Sequence, residues 1–304
     1  HKIGQGNFGK IFLGKNKYTN EEIAIKIDTG QIILKNEAIM YNYLSDINGI
    51  PKLRAFGKEG KYNYLIFYLL GDTLVKKLER NNYKFTLNNI VVLGIKLIDI
   101  ISKIHKKNII HRDIKPENIM YKNRDDATDL DIYIIDFGLS KIYDESKKGC
   151  IKNENLIVGT ANFASLHTHI GNMPSKRDDL ESIGYVLLYA YYGKLPWSSI
   201  TYTDNNERIN FIKKCKQNLL NGETDNVINL FIKKCNRLKY HDNPDIPLQY
   251  YPIFFSDSST DFIFGTTTLE GWSDRRNEPQ RGYAWFFTRT NQTTGVVNVE
   301  KIKL

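Results

Sequence analysis

His111-Arg112-Asp113-Ile114-Lys115-Pro116-Glu117-Asn118 decides how this chain is read. A carboxylate, an ammonium and a carboxamide fall on one short loop, and Pro116 between them fixes a backbone angle and stiffens it. Eighteen residues past Asn118 comes Asp136-Phe137-Gly138, a second acid on a glycine turn, after the apolar residues Ile132, Ile134 and Ile135. Taken singly, each residue has an ordinary explanation: Asp113 caps a helix, and Asp136 makes a turn. As an ordered set they supply a proton acceptor, a cation beside it, and two oxygen ligands for a hard metal ion. Moving a phosphoryl group from ATP to a hydroxyl calls for those parts.

Upstream, Gly4-Gln5-Gly6-Asn7-Phe8-Gly9 is a G-x-G-x-x-G run. Glycines let a backbone close over phosphates with no Cβ in the way. In dinucleotide-binding folds the same letters open a helix. Here a β-type run containing Ile11 follows, then a turn and a second strand, which favours a glycine-rich lid over ATP. That second strand is Glu22-Ile23-Ala24-Ile25-Lys26-Ile27. Lys26 alternates with apolar neighbours, so if buried it needs a partner. Glu37, at the start of the following helix, is the natural one. A solvated surface lysine is the alternative, and the loop at 111–118 argues against it.

The 304 residues accommodate one large two-lobed domain or two ordinary ones. Apolar content of 41% and charged content of 25% are globular values. The apolar segments 90–104 and 183–192 are interrupted by Lys, Asp or Gly, so neither reads as a membrane span. Cys150, Cys215 and Cys235 are too few and too scattered for a disulfide framework, which points to a reduced, intracellular setting. The chain opens inside a motif with no initiator Met, as a fragment would. Net charge is +9, and residues 250–304 hold six basic and six acidic residues, so the whole excess lies in 1–249. No aromatic-interleaved basic patch or zinc spacing accompanies it. The charge therefore suits acidic substrates or solubility, and nucleic acid is not expected.

Strand signals at 8–13, 22–27 and 62–69, with turns at Asn16–Asn20 and Gly57–Gly60, make residues 1–70 β-rich around one helix near 32–45. Residues 71–249 read as mostly helical. Ile90, Leu93, Leu97, Ile101 and Ile104 recur every three or four residues, and 180–192 reads as a more fully buried helix. Phe-Ile-Lys-Lys-Cys occurs at 211–215 and at 231–235, which two helices written in a narrow alphabet explain better than a repeat array. After Asp245 the composition turns to Thr, Ser, Gly and aromatics. Asp261–Thr268 and Tyr283–Thr290 look like strands, and Asn291–Gly295 like a turn into Val296–Leu304. This tail, 250–304, reads as a divergent end of the helical part or a small β module, with no function assigned. Asn291-Gln292-Thr293 matches a glycosylation acceptor by chance in an intracellular chain.

Taken in order, Gly4–Gly9, Lys26, Glu37, His111–Asn118 and Asp136–Gly138 resemble the protein-kinase set. The likeness is closer to the casein kinase 1 family. It is carried by Ile134–Ser140, by Gly159-Thr160-Ala161-Asn162-Phe163-Ala164-Ser165 in place of the usual Ala-Pro-Glu, and by Ser175–Tyr185, Leu195-Pro196-Trp197 and Asp242-Asn243-Pro244-Asp245. It covers about residues 1–245. The resemblance implies an α+β, bilobal kinase fold, with an N-lobe over 1–70 whose first strand is cut by the chain start and a C-lobe over 71–249. It implies ATP and Mg²⁺ as cofactors and protein Ser/Thr hydroxyls, acidic sequences among them, as substrates. Asp113 would be the catalytic base, Lys115 the neutralising cation, and Asn118 and Asp136 the metal ligands. Lys26 would hold the phosphates, oriented by Glu37, beneath Gly4, Gly6 and Gly9. Thr160 would bridge Asp113 and Lys115, and Asp179 would brace the loop. Phe67 would be the gatekeeper, Tyr68 and Leu70 would bond adenine through their backbone, and Ile3, Ile11, Ala24 and Met120 would sandwich it. A monomer off the membrane, competent without activation-segment phosphorylation, completes the expectation. With every catalytic position intact, a nucleotide-binding pseudokinase scaffold is the disfavoured alternative.

The sequence departs from that family at one point of substrate choice. Asn162 stands where the family has the Arg of Gly-Thr-Ala-Arg, and a second basic residue expected after Leu-Pro-Trp is missing around Ile200 and Thr201. An uncharged Asn makes no bidentate contact to phosphate, which argues against phosphate-primed recognition. Lys176 and Arg177 are the candidates left for an anion patch, with a solvated face offset by Asp178 and Asp179 as the equal alternative.

Overall fold

The computed structural model describes residues 1–6, 9–28, 32–123, 131–144, 157–198, 202–223, 226–242, 256–257, 260–265, 283–289 and 297–303. Its N-terminal part is a five-stranded antiparallel sheet of β1 (Lys2–Gly6), β2 (Gly9–Lys15), β3 (Glu22–Asp28), β4 (Leu53–Glu59) and β5 (Tyr62–Tyr68), in the order β1-β2-β3-β5-β4. Two of these strands, β1 and β4, go beyond the three that the sequence signals. Both are glycine-bearing edge strands with little apolar alternation, so periodicity is weak there. The turn read at Gly57–Gly60 shifts to Glu59–Tyr62, where Gly60 takes a φ of 56°. Helix α1 (Ile32–Tyr43) ends two residues before its expected end, and Glu37 lies in its middle, not at its start.

The C-terminal part is helical. Helix α2 (Leu74–Arg80) is capped by Thr73, and α3 (Leu87–Lys106) by Thr86, each threonine accepting a backbone N–H of the first turn. The expected stripe of α3 is buried throughout, from Ile90 to Ile104. Short strands β6 (Ile109–Ile110), β7 (Ile119–Tyr121), β8 (Ile132–Ile134) and β9 (Lys141–Ile142) pair as β6–β9 and β7–β8. These two ladders fix the loops that carry Asp113 and Asp136. Helices α4 (Leu166–His169), α5 (Lys176–Tyr192), α6 (Asn205–Asn221) and α7 (Val227–Arg237) complete this part. Helix α5 starts with a capping box of Ser175 and Asp178, ends on Gly193 at a φ of 76°, and is buried along almost its full length. The two Phe-Ile-Lys-Lys-Cys segments fall on α6 and α7. No described helix is long and apolar enough to cross a membrane.

In the tail, β10 (Ser256–Asp257), β11 (Thr260–Gly265), β12 (Tyr283–Arg289) and β13 (Val297–Lys303) form a separate antiparallel sheet in chain order. The strands match those read at 261–268 and 283–290. The turn read at Asn291–Gly295 lies outside the described residues, as do the Asn291–Thr293 sequence and Asn243–Asp245.

Candidate active site

Residues directly opposite on antiparallel strands share a face of the sheet. Ile11 pairs with Lys26, and Ala24 pairs with both Leu13 and Phe67. Lys26 and Ala24, two apart on β3, also share a face. One face of the sheet thus presents Ile11, Ala24, Lys26 and Phe67 together. Gly4 pairs with Ile11, and Gly6 with Gly9. Gly9 has no room for a side chain, because a Cβ would stand 2.6 Å from the carbonyl oxygen of Ile27. Asn7 and Phe8 lie outside the described residues. Ile3 lies at a register shift of β1 and is 40% exposed, less enclosed than the other three. Tyr68 turns its ring outward under Arg54, whose guanidinium carbon is 4.2 Å from the ring centre. Met120, on β7, bridges to Thr73 at the start of α2.

Lys26 Nζ donates to both Glu37 oxygens at 2.9 and 2.8 Å and to Asp136 Oδ1 at 2.8 Å. Burial works against the Lys26 ammonium, but the two carboxylates outweigh it and raise its pKa. Burial pushes Glu37 up to about 7, with Lys26 pulling it down and Asp136 adding to the rise. Burial also opposes ionisation of Asp136, yet Lys26 holds its carboxyl below the usual range.

Asp136 sits in the left-handed region, at a φ of 66°, and its N–H donates to the Tyr41 hydroxyl at 3.0 Å. Tyr41 stands one helical turn from Glu37 and packs edge-on to Phe67 and Phe137, with ring centres 4.7 and 5.1 Å away. Phe137 in turn meets His111 at 5.0 Å. An aromatic column thus joins the sheet to both loops. Sequence reasoning missed Tyr41, and its i,i+4 spacing from Glu37 was the available signal.

Arg112 is also left-handed, at a φ of 70°. Strain of that kind persists only where neighbours over-determine it. Here the N–H groups of His111 and Arg112 donate to Asp179 Oδ2 and Oδ1 at 2.9 and 2.8 Å, and His105 Nε2 lies 2.8 Å from Oδ2. Burial would raise the Asp179 pKa, but its bonds with His105 and His111 hold it below the usual range. Asp113, on the loop so braced, is gripped from three sides. Lys115 Nζ lies 2.8 Å from Oδ2, Thr160 donates to Oδ1 from its hydroxyl at 2.8 Å and its N–H at 2.9 Å, and Asn118 Nδ2 lies 3.3 Å from Oδ2. Lys115 also donates to the Thr160 hydroxyl at 3.0 Å. Gly159, at a φ of 87°, lets this segment reach the loop, since a Cβ there would collide with the carbonyl oxygen of Arg112.

Ile135 N–H donates to the Asn118 carbonyl at 2.9 Å, which sets the Asn118 and Asp136 loops side by side. Asn118 engages Asp113 through Nδ2 and Asp136 engages Lys26 through Oδ1. Oδ1 of Asn118 and Oδ2 of Asp136 take no part in these bonds. Among the described residues no cluster of three or more His, Cys, Asp or Glu side chains could hold a metal. Two such oxygens suit an ion whose remaining ligands are water and substrate phosphates, as Mg²⁺ prefers.

The expected anion patch is corrected. Lys176 and Arg177 are buried, with Lys176 5.2 Å from the centre of the Tyr143 ring and Arg177 donating to the Leu238 carbonyl at 2.7 Å. Ile200 and Thr201 lie outside the described residues. A basic side chain does reach Asn162: Arg208 of α6 donates to Asn162 Oδ1 at 3.2 Å. It comes eleven residues after Trp197, beyond the stretch where one was sought. A cavity of about 470 Å³ lies apart from the charged cluster, behind Tyr68 and Leu70, lined also by Ile47–Lys52, Lys96 and Ile132.

The model of the protein kinase domain family matches residues 1–268. That is most of the chain, and the chain belongs to this family.

Proposed function

We propose that this protein kinase is catalytically active, of the casein kinase 1 type, and transfers the γ-phosphoryl group of ATP to protein Ser/Thr hydroxyls. The grip of Lys115, Thr160 and Asn118 on the Asp113 carboxylate carries the reading. It leaves one carboxylate oriented and hydrogen-bonded at the centre of the site, beside a cation.

In this reading the substrate hydroxyl oxygen forms a bond to the γ-phosphorus as the bond from that phosphorus to the leaving oxygen of ADP breaks. The hydroxyl proton passes to Asp113, which returns it to solvent. Lys115 offsets charge on the moving phosphoryl, and Lys26, held by Glu37, anchors the α- and β-phosphates. Gly4, Gly6 and Gly9 close over the phosphates. Ile11, Ala24, Phe67 and Met120 line the adenine slot, with Ile3 at its edge and the backbone of Tyr68 and Leu70 at its rear. Asn118 and Asp136 would hold Mg²⁺, which supplies charge neutralisation to the phosphates when bound. Thr160, tied to both Asp113 and Lys115, suits a small aliphatic hydroxyl. Residues 1–70 and 71–249 act as the two lobes around this cleft.

Asp113→Asn tests the assignment. Phosphate incorporation into casein-like acidic protein and Ser/Thr peptides should fall by about 10³-fold or more, while nucleotide binding stays within about twofold. Undiminished incorporation would remove Asp113 as the base. A wild type that binds ATP but transfers to no protein substrate would establish the scaffold reading instead.

A further inference from the structure

Three side chains of the helical part hold the backbone carbonyls of residues 161–164. Lys216 of α6 is wholly buried, and its Nζ lies 3.0 Å from the Ala161 carbonyl oxygen and 2.5 Å from that of Ala164. His169 Nε2 lies 2.9 Å from the same Ala161 oxygen, and the Trp197 indole N–H donates to the Asn162 carbonyl at 3.0 Å. The Thr160 carbonyl accepts from the N–H groups of Phe163 and Ala164 within the segment. His169 Nε2 also lies 3.2 Å from Lys216 Nζ, so the imidazole touches both the carbonyl and the lysine that holds it, while its Nδ1 is buried without a partner among the described residues.

Tyr185 and Trp197 present ring faces to Lys216 Nζ at 4.4 and 5.0 Å. Burial pushes the Lys216 amine well below its usual range, with Glu181 pulling the other way. The ammonium and the free amine both carry the two N–H groups that the carbonyls take. Thr160, bonded to Asp113 and Lys115, directly precedes Ala161, so a shift of the clamped carbonyls reaches the centre of the site.

We propose that Lys216 is a positioning residue, whose bonds to the Ala161 and Ala164 carbonyls fix the segment on which the substrate peptide is seated. The segment lacks the Ala-Pro-Glu that closes it in most kinases, and the lysine clamp takes over that anchoring. The proposal rests on the reading of this site as one for Ser/Thr peptides.

Lys216→Met keeps length and volume but removes the donors. The KM for a Ser/Thr peptide should rise about fivefold, the equivalent of one net hydrogen bond. The KM for ATP should stay within about twofold. Amide exchange over 160–168 should quicken about threefold or more, with α3 unchanged. A role in stability alone would lower kcat with the folded fraction and leave the peptide KM and this local exchange unchanged, and that result overturns the proposal. Should the variant not fold, His169→Leu, which removes one of the two ligands of Ala161, decides by the same two readouts: a raised peptide KM with faster exchange supports the clamp, and unchanged values overturn it. If the wild type transfers to no peptide, the kinase reading fails by itself, and exchange in the variants still judges the clamp.

Discussion

Lys26 and Lys216 are both buried lysines, on the proposed nucleotide side and the proposed peptide side of the site, and the protein holds them by different means. Lys26 is bonded to two carboxylates, so its charge is balanced by charge. Lys216 is bonded to two backbone carbonyls between two aromatic rings. In the proposed reading the first arrangement would respond when phosphates arrive, with Lys26 shared between them and its carboxylates. The second bonds no carboxylate among the described residues, Glu181 acting on it only through space, and serves shape. In the proposed reading, the nucleotide side thus suits moving charge, and the peptide side a fixed backbone.

Removing the cation on the nucleotide side should have the largest effect. In Lys26→Met, Glu37 and Asp136 face each other with no ammonium between them. Phosphoryl transfer should fall by about 10²–10³-fold, as when one preorganised electrostatic contact is lost. Breaking a buried ion pair from one side should also cost about 3–5 kcal/mol of stability at pH 8. At pH 6 the penalty should shrink, because Glu37 without Lys26 holds a proton to a higher pH than before. Assays of peptide phosphorylation and urea denaturation at both pH values check this. A loss of stability independent of pH would mean that Glu37 is not the group left uncompensated.

The two sides also differ in how legible they were. Lys26 announced itself by alternating with apolar residues on a strand, and Glu37 by its place on the next helix. Asp113, Asn118 and Asp136 sit on loops whose letters resemble the protein-kinase pattern. Backbone carbonyls have no letters, so nothing in the sequence marked Lys216 as their partner among the many lysines of this chain. Lys176 and Arg177 misled for the same reason: charge in a sequence suggests a wet surface, while α5 buries both. The bilobal plan was readable from periodicity, except at β1 and β4, where glycine-bearing edge strands carry little alternation. Tyr41 was hidden because an aromatic on an apolar helix reads as core, although its hydroxyl meets Asp136.

Titration offers a second way to sharpen the comparison. Burial and Lys216 lower the His169 pKa to about 3, from 6.5 for the free side chain. The native state then keeps it neutral, and the unfolded chain takes up a proton below pH 6.5. Its contribution to stability is complete above pH 6.5 and is lost as pH falls toward 3. Glu37 behaves in the opposite sense. Its pKa is raised from 4.5 to about 7, so its contribution is complete below pH 4.5 and is lost as pH rises through 7. Between pH 4.5 and 6.5 the two slopes oppose each other, each at most about 1.4 kcal/mol per pH unit. The stability difference between wild type and His169→Asn should therefore grow with pH in this window, and that between wild type and Glu37→Gln should shrink. Urea midpoints at pH 4.5, 5.5 and 6.5 measure both, and slopes of equal sign would erase this distinction between the two sides.

The smallest effect concerns substrate choice, where the peptide side departs from the casein kinase 1 pattern. Asn162 offers an amide where that family has a guanidinium, and Arg208 bonds to it from α6. One Arg held by a neutral partner is a single-point attraction for phosphate, without the fork that two guanidinium groups would make. Unprimed peptides should therefore be phosphorylated about as well as primed ones, within about threefold in KM. Asn162→Arg would free Arg208 from its amide partner and add a second guanidinium. It should lower the KM for primed peptides by about tenfold, the worth of one charge-assisted hydrogen bond, while moving unprimed peptides by less than about twofold. Arrays of acidic, phospho-primed and plain Ser/Thr peptides on both proteins give the measurement. A strong wild-type preference for primed peptides would show that Arg208 alone suffices to read phosphate. The difference between this site and the family's would then lie in which helix supplies the cation, not in whether a phosphate is read.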